Sequence, residues 1–209
     1  FAEEAKLAAD AARPIPPYDL DATTPEDAYP LHGIIPEQEW AALDALLPQL
    51  KAAESHAQRY QLLSNTRSNW VKGHVKHAYE APKPNPKTVK ILAYIAAMLS
   101  FRALAGGKDV PERKSIVDRL SPTPEIVVDS LLARFTEKLR GTNKPKVTSQ
   151  MDMSLLTHVF ALCLKIDDFA TDTTLIAADL RMGVTKRVSP SGERHVPIAW
   201  LQARAVDGA

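Results

Sequence analysis

The chain has 209 residues, 26 Lys+Arg against 25 Asp+Glu, and 45% apolar residues, which excludes disorder throughout and describes a soluble globular protein of one large or two small domains. The near balance of charge conceals a polar distribution: residues 1–60 carry four bases and eleven acids, a net of −7, and residues 61–209 a net of +8. Within 66–147 sixteen bases face seven acids, an excess that makes a polyanion, nucleic acid above all, the leading partner, with a solvated lysine-rich surface as the plain alternative.

Residues 2–12 are Ala-rich and favour a helix by propensity, yet offer almost no large apolar face, so they read as a frayed arm. From Pro14 to Pro48 stand seven of the sixteen prolines, and proline fixes φ, removes a donor and disfavours helix in the residue before it. Residues 13–35 are therefore expected as an extended strap. Because it carries Ile15, Tyr18, Leu20, Tyr29, Leu31, Ile34 and Ile35, it should lie along a folded body rather than in solvent.

Pro36 with Glu37 and Glu39 marks a helix start, the acids facing the positive end of the dipole, and Trp40, Leu43 and Leu47 follow at helical spacing. Further helices are expected over 55–64 and 69–80, making 36–85 a small helical linker subdomain after an arm and linker over 1–35. APKPNPK, 81–87, reads as a rigid basic connector.

Ile91, Ile95, Met98, Leu99 and Arg102 then mark a long buried helix over 87–104, ended by Gly106-Gly107. A shorter helix is expected over 112–120. Ser121-Pro122-Thr123-Pro124 breaks the chain and caps a third helix from about 124 to 139, with Val127, Val128, Leu131, Leu132 and Phe135 as its apolar stripe. GTNKPKVTSQ can make a tight turn between brief strands. Helix, short helix, turn, helix, hairpin is the order of a winged helix, a helix-turn-helix with a β-hairpin wing.

The order then begins again. Leu155, Val159, Leu162, Cys163 and Ile166 repeat the stripe of 91–102, Asp167-Asp168-Phe169 breaks that helix, and 173–182 supplies a second short one. The fold expected is mainly α, a tandem winged helix over 86–150 and 151–209.

The blocks IPPYDLDATTPEDAYPLHGIIPEQEW, KILAYIAAMLSFRAL, IVDRLSPTPEIVVDSLLARFTE and LLTHVFALCLKIDDF resemble, in this order, the C-terminal region of the forty-nine-kilodalton-type subunit of fungal RNA polymerase I. Pro25-Glu26-Asp27-Ala28-Tyr29-Pro30 ahead of Ile34-Ile35-Pro36 is the most telling piece, and the likeness runs from about Pro14 to Lys186. The resemblance implies a tandem winged-helix region preceded by a linker that packs on it. It also implies DNA binding, support of promoter opening, recruitment and release of the polymerase I initiation factor, and elongation through ribosomal RNA genes. Other RNA polymerase I subunits are then partners, and the location nuclear and nucleolar. After Lys186 the turn-rich RVSPSGERHVPIAWLQARAVDGA departs from the family's helical pattern and leaves the closure of the second module open; Arg187-Val188 and His195-Val196 can pair as a hairpin.

Cations near a helix end and wing bind phosphate oxygens with little sequence preference, suiting single- and double-stranded DNA alike. Arg134, Lys138, Arg140, Lys144 and Lys146 are the candidates in the first module, Lys186 and Arg187 in the second, with Lys72, Lys76 and Lys83 in addition. Arg59, Arg102 and Arg119 fall in or beside core stripes and should pair locally or extend along apolar surface. No catalytic residue, metal or cofactor is expected. His74 and His77 stand at i, i+3 without the glutamate of a helical zinc pair, and His158 and Cys163 point to different faces of one helix. The single Cys163 cannot form an intramolecular disulfide and reads as core; with no signal-like opening, it favours a reducing compartment. The run Ile91 to Phe101 is shorter than the roughly 20 residues a bilayer requires, so no membrane partner is expected. Phe1 in place of Met points to a piece of a longer polypeptide. Trp40, Trp70 and Trp200 sit among apolar residues and read as packing. The alternative function is a winged-helix scaffold that binds proteins within a transcription complex without touching DNA.

Overall fold

The computed structural model describes residues 14–107, 109–138 and 144–180. The arm over 2–12, Arg140, Lys186, Arg187, the hairpin expected over 187–196 and Trp200 lie outside the described residues.

Over 14–35 the backbone is extended apart from two single turns of helix, α1 (Pro25–Ala28) and α2 (Leu31–Ile34). Thr24 caps α1, its hydroxyl accepting from the Asp27 N–H at 3.3 Å and donating to the Asp27 carboxylate at 2.6 Å. The strap's apolar residues settle its place: Tyr29, Ile34 and Ile35 are buried. The Thr157 hydroxyl donates to the Pro14 carbonyl at 2.6 Å and the Lys165 ammonium to the Glu26 carbonyl at 2.8 Å, tying the strap to the far end of the chain.

Helix α3 (Glu37–Ala42) starts after Pro36 and tightens into a 3₁₀ turn (Leu43–Leu46) before α4 (Leu47–Ala52). Pro48 explains the tightening, since it has no N–H to return to the Asp44 carbonyl. Helix α5 (His56–Leu62) opens on a capping box of Ser55 and Gln58. Helix α6 (Asn69–Glu80) opens on Ser68, whose hydroxyl accepts from the Val71 N–H at 3.0 Å.

The centre is α7 (Pro86–Ala105), capped by Asn85. Every side chain from Val89 to Met98 is buried, including Lys90, whose ammonium lies 2.7 Å from the Asp44 carboxylate and 4.2 Å from the centre of the Trp40 ring. By length and composition α7 would cross a bilayer, yet 67% of its apolar window is buried within the protein, which makes it the core helix. A Cβ on Gly106 would stand 2.8 Å from the Arg102 carbonyl, so glycine is required where α7 ends.

Short α8 (Arg113–Leu120) and α9 (Glu125–Phe135) follow, then β1 (Glu137–Lys138) and β2 (Pro145–Lys146), paired antiparallel. Helix α9 stops four residues before the expected 139. Thr136 takes extended dihedrals and its hydroxyl donates to the Leu132 carbonyl at 2.7 Å, closing the last turn over buried Phe135.

Helix α10 (Ser149–Ile166) packs along α7 more extensively than any other pair of elements, and Arg102 clasps Asp152 through two bonds of 2.6 and 2.9 Å. It ends where Asp168 (φ 47) and Phe169 (φ 65) enter the left-handed region, the Phe169 N–H reaching back to the Leu164 carbonyl at 2.7 Å. Helix α11 (Thr173–Asp179) then returns to α6. The Asp179 carboxylate accepts from the Ser68 hydroxyl at 2.6 Å and from the N–H groups of Asn69 and Trp70 at 2.9 Å each. Among the described residues the structure is mainly helical with this one small sheet, and buried side chains from Tyr29 to Leu180 form one connected core.

Candidate nucleic-acid interface

Thr136 sets the geometry of the hairpin by turning the chain out of α9 into extended backbone. The register places Glu137 opposite Lys146 and Lys138 opposite Pro145, and Val147 packs partly buried against the core beneath the hairpin. Lys138, Lys144 and Lys146 are all exposed. Lys138 and Lys144 border a groove of about 730 Å³ between the hairpin, the outer side of α9 and the start of α8, with Leu132 and Val110 among the residues that line it.

The same groove holds an arginine that sequence reasoning passed over. Arg113 donates through Nε and Nη2 to the two Asp129 oxygens at 2.6 and 2.8 Å, and through Nη2 to Glu125 at 2.8 Å. These bonds hold the Asp129 carboxyl below its ordinary range and raise the guanidinium further. Asp129 stands four residues after Glu125 on α9, so both share one face; nothing local in the sequence says which base from α8 meets them.

Arg134 has different work. Its guanidinium donates to the Tyr94 hydroxyl at 3.1 Å and to the Ile34 carbonyl of the strap at 3.1 Å, and lies 5.1 Å from the centre of the Phe135 ring. Tyr94 in turn donates to Glu39 at 2.7 Å, and Ser130 donates to the other Glu39 oxygen at 2.5 Å. Burial first, then the neighbouring Glu39 charge, pushes the Tyr94 phenol far up. Glu39, read from sequence as an acid of the first turn, is 2% exposed and sits at the hub of strap, α3, α7 and α9. The available signal was its position four residues before Leu43, on the stripe that is buried. His158, buried and T-shaped against the Phe135 ring, bonds the Ser154 carbonyl at 2.7 Å; burial, assisted by the Arg134 charge, pushes it down to about 4.

The remaining candidates lie on other elements. Lys72 and Lys76 stand one turn apart on α6, the first half-buried with its ammonium 5.8 Å from the centre of the Tyr60 ring, the second exposed and 3.8 Å from Glu80. Lys83 is exposed in the connector. Arg59 is drawn inward, bonding the Leu50 and Ala53 carbonyls. His74 stacks on buried Trp70 at 3.8 Å and bonds Asp167 at 2.7 Å, and the buried Cys163 thiol is pushed up by desolvation.

The described residues thus form a mainly helical body that spends Arg59, Arg102 and Arg134 on internal ties and leaves lysines exposed along a short two-stranded hairpin. The chain belongs to the family described as A49-like RNA polymerase I associated factor, whose model matches residues 1–189. It is 30% identical over 174 residues to DNA-directed RNA polymerase I subunit rpa49 of Schizosaccharomyces pombe, covering 83% of this chain and 40% of that protein. Identity to subunit RPA49 of Saccharomyces cerevisiae is 27% over 184 residues, 85% of this chain and 43% of the relative. The human RPA49 subunit is 25% identical over 198 residues, 93% and 46%. The chain thus spans less than half the length of the curated relatives it matches.

Proposed function

We propose that this segment is the DNA-contacting portion of a non-catalytic RNA polymerase I subunit, built as a tandem winged helix with modules over 86–150 and 151–209, behind a linker over 1–35 and a helical subdomain over 36–85. It works in the nucleus, in the nucleolus, with the other polymerase I subunits. There it supports promoter opening, recruitment and release of the polymerase I initiation factor, and elongation through ribosomal RNA genes. The observation that carries the reading is the hairpin edged by exposed Lys138, Lys144 and Lys146 directly after α9, in a chain of this family.

Lysine ammoniums on a wing act as point charges toward phosphate, so binding is insensitive to sequence and falls with salt as counterions return. Arg140 belongs to the same candidate set in the first module and Lys186 and Arg187 are the candidates of the second, with Lys72, Lys76 and Lys83 in addition. Arg134, half-buried, ties α9 to the strap. The test is fluorescence anisotropy with single- and double-stranded DNA across a salt series. Lys138, Lys144 and Lys146 replaced together by Gln should weaken binding and reduce the salt slope by about 2.7 on duplex and about 2.1 on single strands, near 0.9 and 0.7 for each lost contact, with melting unchanged. Absence of binding by the parent chain at low salt leaves the protein-scaffold reading in its place.

A further inference from the structure

Next to the lysine-edged hairpin, the outer side of α9 presents carboxylates. Glu125 and Asp129 stand one turn apart there, and Arg113 is locked between them by three hydrogen bonds of 2.6 to 2.8 Å. Arg113, Asp129, Lys138 and Lys144 all line one groove, as do Asp109 and Glu112. All four members and neighbours that matter for contact, Arg113, Glu125, Lys138 and Lys144, are open to solvent. An arginine in this position is the group best suited to grip phosphate or a guanine edge through its fork, but three of its five N–H donors, the one on Nε and both on Nη2, are already held by carboxylates.

We infer that the Arg113–Asp129–Glu125 clamp is an affinity and specificity determinant: it holds Arg113 back from DNA and lines the α9 face with negative charge, so contact at this face is left to the hairpin lysines. The inference rests on the DNA-binding reading above. Without the clamp, α9 would present a forked cation beside Lys138 and Lys144, and a protein that must act along many sequences would gain base preference and adhesion together.

The experiment compares two variants of the full chain that remove the same number of carboxylates from the same region. Glu125→Gln with Asp129→Asn opens the clamp. Asp109→Asn with Glu112→Gln removes charges that line the groove while leaving the clamp closed. Both are titrated against a short mixed-sequence duplex, alongside the hairpin variant and the parent chain, with melting curves recorded for each; Asp129→Asn alone serves if the double variant melts early. Opening the clamp should tighten binding beyond the control pair and steepen the salt slope by about 0.9. That advantage should shrink about 3.5-fold between 50 and 200 mM salt. Adding Arg113→Gln to the open variant should erase it. Equal gains in the two carboxylate pairs, or persistence of the gain without Arg113, overturns the inference while leaving DNA binding intact. A parent chain that binds no duplex overturns both.

Discussion

Glu39→Ala is the sharpest probe of how this body is held together. The carboxylate is 2% exposed and accepts from Tyr94 at 2.7 Å and Ser130 at 2.5 Å. Each hydrogen bond to a buried charged group contributes about 1.5–3 kcal/mol, and removing the acceptor leaves the buried Tyr94 hydroxyl and the part-buried Ser130 hydroxyl without it. Loss of both, partly offset by the desolvation of the carboxylate itself, predicts a destabilisation of about 3–5 kcal/mol. That is a large share of the roughly 5–15 kcal/mol that keeps a typical domain folded. Urea denaturation followed by circular dichroism measures it as a lower midpoint at unchanged slope. Tyr94→Phe removes one arm of the same network, so the double variant should fall short of the sum by about 1 kcal/mol or more. A cost below about 1 kcal/mol for Glu39→Ala, or strict additivity with Tyr94→Phe, refutes the hub.

Two other outcomes are expected. His158 is pushed down to about 4 by burial, whereas an unfolded histidine titrates near 6.5. Between those values the unfolded chain binds the extra proton, so stability is full above about 6.5 and declines by up to about 1.4 kcal/mol per pH unit on the way down to 4; His158→Gln, compared with its parent over a pH series, should lose that part of the decline. Asp179→Ala removes the acceptor of three donors around the start of α6. It should cost about 1–2 kcal/mol and speed amide exchange at Asn69 and Trp70, since Ser68 still serves the Val71 N–H; unaltered exchange there removes the clasp between the two halves.

Much of the chain's architecture was legible before folding because it is written in local rules. The 69–80 helix appears with the expected bounds, and the 87–104 helix begins one residue earlier and ends one later. The strap lies on the body because an extended, proline-held segment with Tyr29, Ile34 and Ile35 has nowhere else to put them. Arg59 bonds nearby carbonyls, as its place beside a core stripe suggested, whereas the partner of Arg102, Asp152, comes from α10 fifty residues on. The lysines of the hairpin are exposed because short polar strands at an edge have no core to enter.

What escaped the sequence are meetings between residues far apart along it. Arg134 and Lys138 carry the same charge one turn apart in the sequence, yet one reaches the strap and the other solvent. The difference is made by Ile34, a hundred residues earlier, and by Tyr94. Arg113 likewise became a clamp only when α8 and α9 packed. Propensity, capping and apolar period depend on neighbours within a few residues and so can be read from the chain alone. Which buried charge receives which partner depends on packing at long range, where a single ångström separates a hydrogen bond from a desolvated charge, and that was decided by the tertiary structure.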